Sequence, residues 1–248
     1  MDRTRPSGGC DGGSTPPGSA LTFLCKRSAL RNDNALRSLR RRATLIVTLK
    51  KTNSFVNLIF EAATVKKLKR VGFQILGNGE EPLGEHIFTT SVIAYFLAKQ
   101  MKRSTNSGQG KLINLEKVLI MSIFHDFHEA RTGDVHKLQS LYVKRDQRRA
   151  NEDLFKGIDN ELLALLEEYE ERKTLEAKLV YEANIIALLI AIKPFAERGD
   201  LHAKEWLEWN AQRLRIPEAI ALAKDLIAGN SQDWWKNERV KLHHEYQK

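Results

Sequence analysis

Cysteine is scarce in this sequence, which has two such residues, Cys10 and Cys25, both near the amino terminus. A disulfide framework or a cysteine-based metal site needs several cysteines spread through the folded part of the chain. Neither kind of site can therefore support the residues that follow Cys25. The scarcity suits a reducing compartment, and we expect a cytoplasmic protein.

Proline is also scarce, with six residues in 248, and uninterrupted apolar runs are short. Apolar residues instead recur at helical spacing along most of the chain, which favours amphipathic helices over strands. No uninterrupted run reaches the roughly 18 apolar residues of a membrane-spanning helix. We predict an all-α fold in one domain and expect no membrane partner.

Acidic residues are few in the first fifty positions, where Asp2, Asp11 and Asp33 face a large excess of Arg and Lys. The whole chain carries a net charge of +9. Gly, Ser, Pro and Arg dominate this segment and bury too little apolar surface to fold. We predict a disordered basic tail at residues 1–51 and a folded domain at 52–248.

An alternative for this segment is that translation of the protein starts downstream of Met1. We expect nucleic-acid contact only through this tail.

A polar cluster follows an apolar helix in the segment Phe124-His125-Asp126-Phe127-His128-Glu129-Ala130-Arg131-Thr132-Gly133-Asp134. The residues before it, 115–127, have the apolar spacing of a buried helix. His125, Asp126 and Glu129 project to one side of that helix end, since they are three or four positions apart. Gly133 permits the left-handed turn that brings Asp134 back toward them. Imidazole and carboxylate both suit divalent transition metals.

Two further segments place polar residues inside apolar helices. Gly84-Glu85-His86 opens a helix whose Ile87, Val92, Ile93, Phe96 and Leu97 are predicted to face inward. The most apolar helix, residues 177–195, contains Glu182-Ala183-Asn184 just before its longest apolar run. Buried polar groups need partners, which favours a site shared by these segments.

With these motifs, residues 53–199 resemble the HD-domain metal-dependent phosphohydrolases, and within them the 5′-deoxynucleotidase-like branch. The resemblance implies a helical bundle that binds a divalent ion, with Co, Mn, Mg, Zn and Fe as candidates. It assigns the metal ligands to His86, His125, Asp126 and Asn184. Asn184 stands where the family has Asp, so the resemblance implies a weakened metal site. Glu182 is two positions away on the helix and is predicted to project elsewhere.

The resemblance extends to Leu68-Lys69-Arg70-Val71-Gly72-Phe73, which has the family's Lys-Arg-x-Gly-aromatic pattern. It implies that Arg70 binds the phosphate and that Phe73 replaces the family's tryptophan against the substrate. Glu129 would transfer the proton during catalysis, and Asp134 would contact the sugar. The implied reaction is hydrolysis of a (deoxy)nucleoside 5′-monophosphate to nucleoside and phosphate, and the implied assembly is a homodimer.

Other interpretations stay open at this point. Lys137, Lys144 and Arg145 follow Asp134 and would suit a triphosphate or signalling nucleotide, or they form a solvated helix face. Asn184 also leaves room for a nucleotide-binding relative without activity. His128 and His136 are interpreted as supporting or surface groups, and Trp206 and Trp209 as core or subunit contacts.

Overall fold

The computed structural model of the chain describes residues 36–42, 44, 54–77, 79–104 and 113–246. The chain divides into two compact units, Met1–Thr52 and Asn53–Lys248. In the first unit, residues 36–42 and 44 are helical. Most of the predicted tail, residues 1–51, lies outside the described residues. Its disorder and its contact with nucleic acid therefore stay predictions.

The second unit is all-α, as the sequence predicts. Its described residues contain no strand, and their one β-bridge pairs Lys69 with Pro82. The helices are α1 Ser54–Val65, α2 Gly72–Leu76, α3 Leu83–Ser104, α4 Leu115–Phe124, α5 Glu129–Thr132, α6 Gln147–Phe155, α7 Asn160–Glu171, α8 Leu175–Glu197, α9 Leu201–Ala211, α10 Pro217–Ala228 and α11 Lys236–Glu245.

Side chains just before several of the helices define where those helices begin. Asp159, Thr174 and Asp200 each accept a hydrogen bond from the backbone N–H three residues ahead, at α7, α8 and α9. Such caps satisfy N–H groups that lack a partner within the helix. Pro217 occupies the first turn of α10, where its missing N–H costs nothing.

Helix α8 is the centre of the core and packs against α3, α4, α7, α9 and α10. Its inward positions are completely inaccessible to solvent, among them Leu179, Val180, Ile186, Leu189 and Ile192. By length and composition alone α8 could also cross a membrane. Its burial on several sides by other helices accounts for this apolar character, because a helix that is apolar all round is typical of a protein core.

Two predicted core positions on α3 were wrong. Ile87, Ile93 and Leu97 are buried, but Val92 is 41% exposed and Phe96 is 60% exposed. These two side chains are four residues apart and share an outer face of α3. Helix α3 therefore carries apolar residues on more than one face, and spacing alone does not say which face meets the core.

The helix predicted over residues 115–127 ends earlier, at Phe124. The short helix α5 follows from Glu129 to Thr132, and Gly133 ends it with φ +71°. A positive φ is readily available to glycine, as predicted for this turn. The break between α4 and α5 places His125, Asp126 and His128 in the bend rather than on a continuous helix.

Glu182 faces away from the other polar residues of the core, as predicted. Its buried carboxylate accepts hydrogen bonds from the backbone N–H groups of Arg215 and Ile216, just before α10. The side chain thus satisfies the free donors at the start of α10.

We predict that Glu182→Ala lowers the free energy of unfolding by about 2 kcal/mol, because two buried N–H groups lose their charged acceptor. Urea denaturation followed by circular dichroism measures the change. Glu208→Ala is the control, since Glu208 is exposed on α9. Equal stability of the two variants would contradict this role of Glu182.

Candidate active site

His125 and Asp126 form the base of the site in the bend after α4. The Nδ1–H of the buried His125 donates to the Ser122 carbonyl, 2.9 Å away. That bond leaves Nε2 with a free lone pair in the neutral ring. Nε2 has no hydrogen-bond partner among the described residues and lies 3.0 Å from Asp126 Oδ2. Two electron-pair donors that meet in a buried place fit a bound cation.

His86 reaches this pair from the first turn of α3. Its side chain is fully buried, and its Nε2 lies 4.0 Å from Asp126 Oδ2. Possible ligand atoms of His86, His125 and Asp126 all lie within 4.8 Å of one another. Burial and the nearby Arg70 charge lower the pKa of His86 well below its usual range. A neutral imidazole is the form that binds metal.

The Asp126 carboxyl is ionised beside these imidazoles. Desolvation opposes its charge, but His125 and then His86 outweigh that effect and lower the pKa of Asp126 below its usual range. The cluster therefore brings one carboxylate oxygen together with two imidazole rings. This donor set suits a divalent transition metal.

Asn184 occupies the fourth side of the cluster, on α8. Its Oδ1 accepts a hydrogen bond from His86 Nε2 at 3.0 Å, and its Nδ2 lies 3.4 Å from the Tyr169 hydroxyl. The amide oxygen rather than the amide nitrogen thus faces the ligand atoms. The structure brings together all four residues that the resemblance assigns to the metal, and the fourth donor is neutral.

Arg70 lies beside the cluster and is held by a buried carboxylate. Its Nη1 donates to Glu81 Oε2 at 2.5 Å and to His86 Nδ1 at 3.1 Å. The same Glu81 oxygen lies 3.8 Å from His86 Nδ1. Glu81 therefore contacts both the arginine and the side of His86 opposite the metal cluster. With these hydrogen bonds the proton of His86 is on Nε2. A metal bound at Nε2 requires the proton on Nδ1 instead, on the side that faces Glu81, and carboxylates in this position orient metal-binding histidines.

Glu129 is buried at the start of α5, and its Oε1 accepts from Arg145 Nη1 at 2.8 Å. Its Oε2 has no partner among the described residues. Burial, and then the charges of Asp126 and Asp134, raise the pKa of Glu129 well above its usual range. Asp134 itself accepts from the Val71 N–H at 2.6 Å, which ties the turn after Gly133 to the Arg70 segment.

One cavity of about 710 Å³ connects these groups. Its lining includes the predicted site residues Arg70, Phe73, Asp126, Glu129, Asp134 and Asn184. Phe73 is largely buried and packs near Phe195, with ring centres 6.3 Å apart. Its role against a substrate stays a prediction. The volume lies within the range of small-molecule sites.

The interpretation of the other polar and aromatic residues changes in part. Trp206 and Trp209, predicted as core or subunit contacts, both line the cavity, as do Lys137 and Arg145. His128 is buried, and burial lowers its pKa to about 4. His136 lines the cavity while its Nδ1 accepts from the Gln139 N–H.

Sequence reasoning missed Glu81 and Tyr169. Glu81 follows Glu80 in an acidic pair before Pro82, and only the chain reversal before α3 brings it to Arg70. Tyr169 belongs to α7, whose repeated Glu and Leu residues are typical of a solvated helix. It is 5% exposed, and its ring centre lies 5.6 Å from that of His125. An aromatic residue among repeated acidic residues was the available signal.

Comparison with known proteins gives a family match and similar named proteins. The sequence profile of the family described as "HD domain" matches residues 62–246. The 5′-deoxynucleotidase HDDC2 from Danio rerio is 22% identical over 173 residues, which cover 65% of this chain and 80% of the relative. The human protein of that name is 21% identical over 179 residues, covering 67% and 81%.

Solved structures share the fold. A conserved hypothetical protein from Pyrococcus furiosus superposes with a TM-score of 0.59 and 26% identity, over 69% of this chain and 98% of that protein. A protein from Pyrococcus horikoshii OT3 gives 0.58 and 26%, over 70% and 98%.

We predict that Asn184→Asp strengthens binding of a divalent transition metal about tenfold, because a carboxylate replaces a neutral amide oxygen. Calorimetric titration with Co²⁺ and Mn²⁺ measures the affinity. Asn210→Asp is the matched control, since it makes the same change elsewhere in the cavity wall. Unchanged affinity in Asn184→Asp would exclude this residue from the metal site.

We also predict that Glu81→Gln weakens metal affinity roughly tenfold, because an uncharged amide no longer orients Arg70 and His86. Glu80→Gln is the control, since the neighbouring Glu80 is exposed and pairs with Lys69. The same calorimetric titration measures the metal affinity of both variants. Equal affinities in the two variants would show that Glu81 does not support the site.

Proposed function

This chain belongs to the HD-domain phosphohydrolases, and on that premise we propose that it hydrolyses (deoxy)nucleoside 5′-monophosphates to nucleoside and inorganic phosphate. The observation that carries the proposal is the convergence of a metal-ligand cluster, an arginine and a raised-pKa carboxyl on one cavity. The distant similarity to 5′-deoxynucleotidases supports the choice of substrate.

His86, His125, Asp126 and Asn184 would hold the divalent ion. When bound, such an ion lowers the pKa of water and neutralises charge on phosphoryl oxygens. Nε2 of His125 has no hydrogen-bond partner among the described residues, and the Asp126 carboxyl is ionised, which is the form that binds metal.

Arg70 would bind the substrate phosphate. One of its nitrogens, Nη1, donates to Glu81 and His86, while a guanidinium has five N–H donors in all. The remaining donors can form the paired bonds that a phosphate accepts. Glu81 holds the guanidinium in place, so that less freedom is lost when the phosphate binds.

Glu129 would supply the proton for the leaving group. Burial raises its pKa, which favours the protonated carboxyl, and Arg145 restrains one oxygen. As the water oxygen bonds to phosphorus, the bond from phosphorus to the 5′ oxygen breaks. That oxygen takes the proton of Glu129, and a proton from the attacking water restores the acid.

The test is phosphate release from a panel of ribo- and deoxyribonucleoside 5′-monophosphates with Co²⁺, Mn²⁺ or Mg²⁺. We expect turnover in the native chain, loss of both metal and turnover in Asp126→Ala, and at least 100-fold lower kcat in Glu129→Gln with metal content unchanged. Adding the Asn184→Asp variant separates two cases. Phosphate release only by this variant indicates that the native chain has lost its activity through Asn184. No phosphate release by any of the proteins contradicts the proposal.

A further inference from the structure

The cavity has a second polar wall, about one helical turn along α8 from Asn184. Tyr181 precedes Asn184 by three residues, which is roughly 4.5 Å along the helix axis. The Arg172 guanidinium lies over the Tyr181 ring, 3.9 Å from its centre. Arg213 Nη2 donates to the Tyr181 hydroxyl at 2.7 Å. All three residues line the same cavity as the metal cluster.

Cations outnumber carboxyl groups in this wall. The ion pairs formed among the described residues do not include Arg172, Arg213 or the neighbouring Lys137, whereas Arg70 is paired with Glu81. Burial opposes ionisation of the Tyr181 phenol, but Arg213, Arg172 and Lys137 together lower its pKa. The carboxyl on this side is Glu170; burial raises its pKa, and the charge of Arg172 opposes that shift. Three cations face this one carboxyl. The wall is therefore cationic.

The backbone holds Arg172 in an unfavourable conformation. Its φ is +50°, and among the described residues no other non-glycine residue has a positive φ. It ends α7 at a position where glycine or asparagine is usual. A bulky residue there is strained, and such strain persists where surrounding contacts maintain it. Here the strained residue directs its guanidinium onto Tyr181 and into the cavity.

We propose that Lys137, Arg172, Tyr181 and Arg213 form a subsite for a second anionic group, so that the preferred substrate is a nucleotide with a second phosphate on its nucleoside. This inference rests on the proposed function, since it deepens the choice of substrate at the same site. A neutral nucleoside end would not compensate three cations, whereas a phosphate accepts hydrogen bonds from all of them.

The position of the second phosphate follows from the layout of the cavity. The phosphate to be hydrolysed lies at Arg70 and the metal cluster, and the cationic wall lies beyond Asn184. A second phosphate in tandem is joined to the first by one bridging oxygen, so it would stay close to Arg70. A 3′,5′-bisphosphate places one phosphate on each side of the sugar, and Trp206 and Trp209 offer aromatic faces for the base.

The experiment compares deoxyadenosine 5′-monophosphate, 5′-diphosphate and 3′,5′-bisphosphate as substrates of the native, metal-loaded chain. We expect a KM about tenfold lower for the bisphosphate than for the monophosphate, and no such gain for the diphosphate. Calorimetric binding of the same three compounds to Glu129→Gln, which is expected to bind without turnover, gives a readout independent of activity.

The variants are Arg213→Gln and Arg172→Gly. Glycine at position 172 removes the guanidinium and relieves the positive φ, so misfolding through strain does not explain a loss of binding. Both variants should lose the tenfold preference. Arg198→Gln is the matched control, because Arg198 also stacks on an aromatic ring, that of Phe195, but does not line the cavity.

Each outcome of this experiment either supports or overturns the proposed subsite. Monophosphate turnover with no preference for the bisphosphate overturns the subsite and leaves the proposed function standing. An equal loss of monophosphate and bisphosphate binding in Arg213→Gln also overturns it, and indicates that the wall holds the base. If no compound is hydrolysed, the proposed function fails. Calorimetric preference for the bisphosphate, lost in both variants and kept in Arg198→Gln, then still supports the subsite.

Discussion

The packing of α3 and α4 against the middle of α8 is the constraint on which the rest of this structure depends. Each of these helices, or the bend that follows it, contributes to one cluster: His86 from α3, His125 and Asp126 after α4, and Asn184 from α8. Buried polar groups are costly unless they are satisfied. Hydrogen bonds to the Ser122 carbonyl and to Asn184 satisfy part of the cluster, and a bound cation would satisfy the rest.

The groups around this cluster are supported by partners outside it. Glu81 holds Arg70, Arg145 holds Glu129, and the Val71 N–H holds Asp134. Charged side chains that are fixed before a ligand arrives lose less freedom on binding. The same cavity therefore has a prepared metal end and a cationic far wall at Tyr181, and the separation between them sets the length of ligand that fits.

Much of the fold was predictable because helices depend on local spacing. The start of α10 at Pro217 and the end of α5 at Gly133 follow from the conformations of single residues. Prediction failed where a helix has two apolar faces, as on α3, where Phe96 is exposed. Which face meets the core depends on the neighbouring helices, and periodicity does not contain that information.

The sequence by itself determined the all-α class and the identity of the four residues assigned to the metal through their family pattern. Their meeting is a tertiary event, since His86 and Asn184 are 98 positions apart and contact each other only because α3 packs on α8. The roles of Glu81 and Tyr169, and the stack of Arg172 on Tyr181, were likewise decided by helix packing. Contacts between distant segments arise from burial of whole helix faces, which local residue patterns do not encode.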